Sequence, residues 1–288
     1  MSDGTIAPKR RRDKTATNIG AEPAWQNPPE FIEARRDEVH VWRAQLDIAS
    51  SRVQNRSRLL SVDERERAQR FHFDRDRNNF ITARAFLRIL MGRYLRTEPS
   101  EVKFDYGSNG KPFLATAEST AVRFNLSHSK DLALYAVADG REIGIDVECI
   151  SERVEVDSIA ERFFSPPEVA AFRALPGELK RQAFFACWTR KEAYIKARGE
   201  GLSMPLDQFS VSLSPGEAAV LREVRWDPEE VSRWSLSALP LDPHYVGAVA
   251  VEGHDWSLKF WELTAETQNA ATTAGCEPGI GGSEHPPE

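Results

Sequence analysis

Few of the residues that cross-link or anchor a chain occur here. The 288 residues hold three cysteines, Cys149, Cys187 and Cys276, too scattered for a disulfide framework or a CxxC-type zinc site. No apolar run approaches the eighteen or so residues of a membrane-spanning helix, and the N-terminus lacks the apolar core of a secretory signal. A reducing cytoplasm is therefore the expected compartment, and the sequon Asn125-Leu126-Ser127 carries no meaning there. The formal net charge is -6 and 41% of the residues are hydrophobic. That is enough for a substantial core in one large or two moderate domains.

The ends differ from the body. Residues 1–30 are polar and Pro-containing, and the basic run Lys9-Arg10-Arg11-Arg12 is explained more simply by a solvated, disordered leader than by a nucleic-acid signal. From Thr264 to Glu288 the chain turns to Thr, Ala, Gly, Pro and Glu, composition that cannot order itself by burial, so 264–288 is expected as a disordered tail. The body between divides into two α/β halves, 31–140 and 141–263.

In the first half an opening strand carries Val39 and Val41, followed by a charged helix around Asp63 to Arg70. Phe80, Ala83, Leu87, Leu90 and Tyr94 recur at helical spacing and predict a helix from Asp74 to Arg96, stopped by Pro99. Val102, Phe104 and Tyr106 alternate into the turn Gly107 to Pro112, and strands follow near 122–126 and 132–138. The second half opens on an acidic strand. A helix near 158–164, the capping box Ser165-Pro166-Pro167-Glu168 and a helix from Glu178 to Arg198, closed by Gly199-Glu200-Gly201, come next. Strands near 209–213, 234–238, 245–251 and 258–263 finish the body. Phe80, Arg84 and Arg88 set beside Phe184, Trp188 and Glu192 suggest that the halves echo each other.

The chemistry centres on Ile143-Gly144-Ile145-Asp146-Val147-Glu148 and on Trp188-Thr189-Arg190-Lys191-Glu192-Ala193-Tyr194-Ile195-Lys196. In a strand Ile143, Ile145 and Val147 share one face and Gly144, Asp146 and Glu148 the other. On a helix Trp188, Glu192 and Lys196 share a stripe, so three carboxylates and an ammonium can converge. Asp146 and Glu148 stand about 6.6 Å apart along the strand, within reach of one hard cation, for which magnesium is the natural guest and zinc is not. Alone, such a pair is also what a solvent-facing strand carries. The neighbours favour a site: Phe124-Asn125-Leu126-Ser127-His128-Ser129 puts hydroxyls and an imidazole at a strand end, and Gly107 to Lys111 offers a turn and a lysine suited to phosphate. Carboxylates repel a polyphosphate by roughly 4 kcal/mol per charge pair at about 4 Å and an effective dielectric near 20. A bridging divalent ion reverses that sign, which points to metal-assisted chemistry on a phosphoanhydride.

These segments, with Glu64-Arg65-Glu66-Arg67, Phe71 and Gly110-Lys111-Pro112, resemble the 4'-phosphopantetheinyl transferase superfamily in its long, Sfp-type branch. The resemblance implies two similar α/β subdomains related by a pseudo-twofold, with coenzyme A in the cleft between them and a monomeric enzyme. It implies transfer of phosphopantetheine to a serine of an apo acyl or peptidyl carrier protein and release of adenosine 3',5'-bisphosphate. By motif position Asp146, Glu148 and Glu192 hold magnesium, and Lys196 contacts the pyrophosphate and assists the leaving group. Arg67, Gly110, Lys111, Asn125, Ser127, His128, Asp146, Lys191 and Lys196 are the expected coenzyme A contacts. Glu192, directly or through a water, is the candidate base for the serine proton. Glu64 stands where some relatives carry a basic residue, which shifts weight to Arg67. The alternatives are a magnesium-dependent phosphatase or nucleotidyl transferase, and a non-catalytic module that binds coenzyme A or a carrier protein.

Overall fold

The computed structural model describes residues 25–115, 120–201 and 204–263. The expected tail, and the leader up to residue 24, lie outside the described residues. Residues 25–30 do not behave as leader: the Trp25 indole donates to the Pro240 carbonyl at 3.0 Å, and Gln26 bridges to Trp261.

The first half runs β1 (Glu38–Gln45), α1 (Ser50–Ser57), α2 (Val62–Gln69), α3 (Asp74–Leu95), β2 (Phe104–Tyr106), β3 (Pro112–Leu114), β4 (Val122–Ser129) and β5 (Leu132–Asp139). The second runs β6 (Ile143–Cys149), α4 (Val156–Phe163), α5 (Pro166–Arg173), α6 (Gly177–Arg198), β7 (Phe209–Val211), β8 (Leu221–Val224), α7 (Glu230–Arg233), β9 (Trp234–Ala238), β10 (Tyr245–Glu252) and β11 (Ser257–Glu262). The short α1, β3, β8 and α7 have no counterpart in the expected elements. Pro112 is tolerated because it opens a two-stranded hairpin, where its missing N–H leaves no ladder bond broken.

The larger sheet has the order β11-β1-β5-β4 and the smaller β6-β10-β9, with β2-β3 and β7-β8 as separate hairpins. β11 pairs parallel to β1, so the last strand completes the first half's sheet. A single cut at residue 140 therefore does not separate the two halves, contrary to the division expected from sequence.

Period-two alternation sorts the core into three layers. On β5, Tyr135 and Val137 pack with Phe86, Leu87 and Leu90 of α3. Leu134 and Ala136 face the other way, meeting Ile145 and Val147 of β6 and Val249 of β10. Beyond the smaller sheet, Phe184 and Tyr194 of α6 pack with Leu236, Ala248 and Ala250. The order is helix, sheet, sheet, helix, with α3 and α6 each 22 residues long. This is the expected mixed α/β pseudo-dimer, and the shared apolar layer leaves strands β4 and β6 side by side at the seam. No helix among the described residues is long and apolar enough to cross a membrane.

Candidate active site at the seam of the two sheets

Strands β4 and β6 are both sheet edges, so each carries backbone groups in need of partners. Phe124 of β4 turns into the first core, which points Asn125, Ser127 and Ser129 at β6 by strand alternation. The buried Asn125 accepts from the Ile145 N–H at 2.9 Å, and the Ser129 hydroxyl accepts from the Cys149 N–H at 3.0 Å. Between them the Ser127 hydroxyl donates to Asp146 Oδ1 at 2.8 Å, and Ser129 also donates to Glu148 Oε2 at 3.0 Å. A row of short polar side chains thus closes the edge of β6 and aims both its carboxylates.

Helix α6 lies directly on the acidic face of β6, and Gly144 is what admits it. A Cβ on Gly144 would fall 2.1 Å from the Ala193 carbonyl oxygen and 2.3 Å from the Ala197 nitrogen. The contact brings Lys196 to Asp146: Nζ donates to Oδ1 at 2.6 Å and to Ser127 Oγ at 3.0 Å. Asp146 is 3% exposed, and its second oxygen, Oδ2, is buried without a hydrogen-bond partner. Burial and the neighbouring Asp146 carboxylate hold the Glu148 carboxyl above its ordinary range. Burial raises Glu192 as well, aided by Asp146 and Glu148 against the pull of Lys196. The three carboxyl groups therefore feel one another electrostatically. They do not enclose an ion by themselves, since no group of three or more metal-ligating side chains converges among the described residues.

Other expected contacts divide. His128 stands at the exposed end of β4 with one side of its ring against the protein, and that partial loss of hydration, with the Lys196 ammonium, lowers its imidazole against a weaker upward pull from Asp76. Arg67 lies over the Phe80 ring at 5.4 Å and lines, with Arg70 and Phe71, a surface pocket of about 400 Å³. Glu64 is not on that surface: it is buried between Arg84 and Arg88, each at 2.6 Å. A larger cavity of about 710 Å³ lies beside β11 and includes none of the site residues in its lining.

Four of the expected contacts, Lys191, Asn125, Gly110 and Lys111, make bonds within the protein. Lys191 is 0% exposed, bonded to the carbonyls of Leu206 and Phe209 at 2.7 and 2.6 Å and paired with Glu168 at 2.7 Å. On a helix it points about a hundred degrees away from its neighbour Glu192, into the core rather than to the site. Trp188, on the shared stripe, stacks on Phe184 and is packing. Asn125 and several groups of the Gly107 to Lys111 turn bond within the protein. The Gly107 and Gly110 N–H groups bond inside the turn, and the Lys111 ammonium donates to the carbonyls of Ile143 at 3.2 Å and Ala197 at 3.4 Å. Conversely, Ser129 and Gly144 emerge as site-shaping residues. Both have a visible sequence signal, Ser129 two residues beyond Ser127 on one strand face and Gly144 two residues before Asp146 on another.

Comparison with known proteins agrees with this architecture. Residues 142–250 match the family described as the 4'-phosphopantetheinyl transferase superfamily, and residues 47–139 match 4'-phosphopantetheinyl transferase, N-terminal. The chain is 44% identical over 239 residues to the 4'-phosphopantetheinyl transferase HetI of Nostoc sp., covering 82% of this chain and 97% of the relative. It is 30% identical over 199 residues to the 4'-phosphopantetheinyl transferase Sfp of Bacillus subtilis, covering 69% and 84% respectively. It is also 30% identical over 214 residues to the human L-aminoadipate-semialdehyde dehydrogenase-phosphopantetheinyl transferase, covering 69% of each chain. A pseudo-dimer of two fused α/β halves, an acidic edge strand under a lysine-bearing helix and these relatives agree: the chain belongs to the 4'-phosphopantetheinyl transferase superfamily, in its long Sfp-type branch, and is an enzyme of that class.

Proposed function

We propose that this enzyme moves the 4'-phosphopantetheine arm of coenzyme A onto a serine of an apo acyl or peptidyl carrier protein, with magnesium, and releases adenosine 3',5'-bisphosphate. One observation carries the reading: Asp146 offers Lys196 one oxygen and leaves the other buried and unpartnered. An orphaned carboxylate oxygen is costly to bury unless a ligand satisfies it. A hard divalent cation fits, because it takes oxygen ligands and keeps positions for water and substrate oxygens. Asp146 Oδ2, Glu148 and Glu192 would hold it, and the incomplete protein shell suits an ion shared with a pyrophosphate. When bound, the ion neutralises charge on the pyrophosphate oxygens.

The protein's own groups do the rest. The carrier serine Oγ forms a bond to the phosphorus that bears the pantetheine arm, and the bond from that phosphorus to the bridging oxygen breaks. Glu192, held above the ordinary carboxylate range by burial and the neighbouring Asp146, is the more basic for it and in its ionised form takes the serine proton. The Lys196 ammonium, already held by Asp146 and Ser127, meets the negative charge that develops on the departing bisphosphate. His128, Arg67 and Arg70 supply positive charge for the nucleotide phosphates. One chain provides both sides of the seam, so the proposed active species is a monomer.

The test is mass spectrometry of an apo carrier incubated with enzyme, coenzyme A and magnesium. Addition of one phosphopantetheine arm, dependent on the metal, is expected. Coenzyme A binding with no mass change on any of a panel of carriers would replace this reading with a binding module. Breakdown of coenzyme A without a carrier would replace it with a phosphatase.

A further inference from the structure

The helix that carries Glu192 and Lys196 ends against the other half of the molecule. Its last turn closes at Gly199 in the left-handed region, φ 72°, and the free carbonyls of that turn need donors. Two come from the β2-β3 hairpin. Lys111 Nζ donates to the Ala197 carbonyl at 3.4 Å, and Asn109 Nδ2 donates to the Gly199 carbonyl at 3.2 Å. The fit is close: a Cβ on Gly201, φ 62°, would lie 2.8 Å from Asn109 Cβ. The same ammonium also donates to the Ile143 carbonyl at 3.2 Å and lies 3.7 Å from Glu142.

Lys111 therefore joins the end of α6 to the start of β6. Those two elements carry the Lys196–Asp146 pair: Ala197 follows Lys196 directly, and Ile143 precedes Asp146 by three residues. A cation at a helix C-terminus is also favoured by the helix dipole. We propose that Asn109 and Lys111 are positioning residues. They act on the reaction through α6 and β6, by fixing the separation of Lys196 and Asp146, and the Lys111 side chain is not a phosphate ligand. This rests on the reading that the reacting pyrophosphate lies beside Lys196.

The experiment compares Lys111→Met, which keeps length and removes the ammonium, with Asn109→Ala, which removes no charge. Both are assayed for kcat and KM for coenzyme A, and hydrogen exchange is followed at residues 195–199 without coenzyme A. A lowered kcat, about tenfold or more, with KM within about threefold is expected in each, with faster exchange at the end of α6. A raised KM for Lys111→Met at unchanged kcat and exchange would make Lys111 a direct ligand and overturn the proposal. Asn109→Ala with wild-type kcat and exchange would overturn it as well, and decides the matter if Lys111→Met does not fold. Exchange in the free protein is independent of catalysis, so its failure is distinguishable from a failure of the transferase reading.

Discussion

The Lys196 ammonium lies 2.6 Å from Asp146 Oδ1, and this contact joins the helix to the acidic strand. Its consequence is an asymmetric carboxylate, one oxygen bonded to the lysine and to Ser127 and the other buried without a partner. Lys196→Met is expected to lower kcat by about a hundredfold, the usual effect of removing a group that stabilises developing charge. Asp146→Asn is expected to abolish transfer and weaken magnesium binding in the presence of coenzyme A, measured by calorimetry. Full transfer by Asp146→Asn would remove Asp146 from the mechanism.

Gly144 is required by packing. Adding a methyl in Gly144→Ala would drive it into the α6 backbone, and backbone cannot rotate aside. A loss of about 1–3 kcal/mol in urea unfolding is expected from such overpacking, with activity reduced in the folded fraction. Wild-type stability would show that α6 does not rest on this strand.

Lys191 separates a core role from a ligand role. Removing the ammonium in Lys191→Met leaves Glu168 buried without its cation, for which about 3–5 kcal/mol of destabilisation is expected. Coenzyme A affinity of the folded molecules, from calorimetry below the unfolding midpoint, should stay unchanged. Weaker binding at wild-type stability would return Lys191 to the site.

His128 gives a pH signature. Its folded value is lowered from the ordinary 6.5, so its contribution to stability is present above 6.5 and is lost as pH falls from there toward the lowered value. A nucleotide phosphate beside it favours the protonated form and reverses the shift. Coenzyme A is therefore expected to bind more tightly as pH falls through this window, with proton uptake visible in calorimetry across buffers of different ionisation heat. His128→Gln should abolish the uptake. Uptake that persists in His128→Gln would assign it to another group.

Much of the site is local and was legible in the chain. Asp146 and Glu148 share a strand face, and Glu192 and Lys196 share a helix face, because their spacings match periods of two and 3.6. Less legible was what each side chain meets. Lys191 and Lys196 are both lysines of one helix, yet one lies in the core and the other at the seam, a difference of helical phase relative to a neighbour that spacing does not reveal. Asn125 and Lys111 resemble ligands by residue type. In the structure both bond backbone groups that an edge strand and a helix end present within their reach.

The sequence by itself determined the alternation that buries Ile143, Ile145 and Val147, the two 22-residue helices and the acidic and basic residues available for chemistry, since these depend on neighbours a few positions away. Only the tertiary structure decided that β11 returns to β1, that α6 rests on Gly144, and that Asp146 keeps one oxygen free. Those outcomes depend on which surfaces meet across a hundred residues or more, where close packing and the need to satisfy every buried polar group select one arrangement.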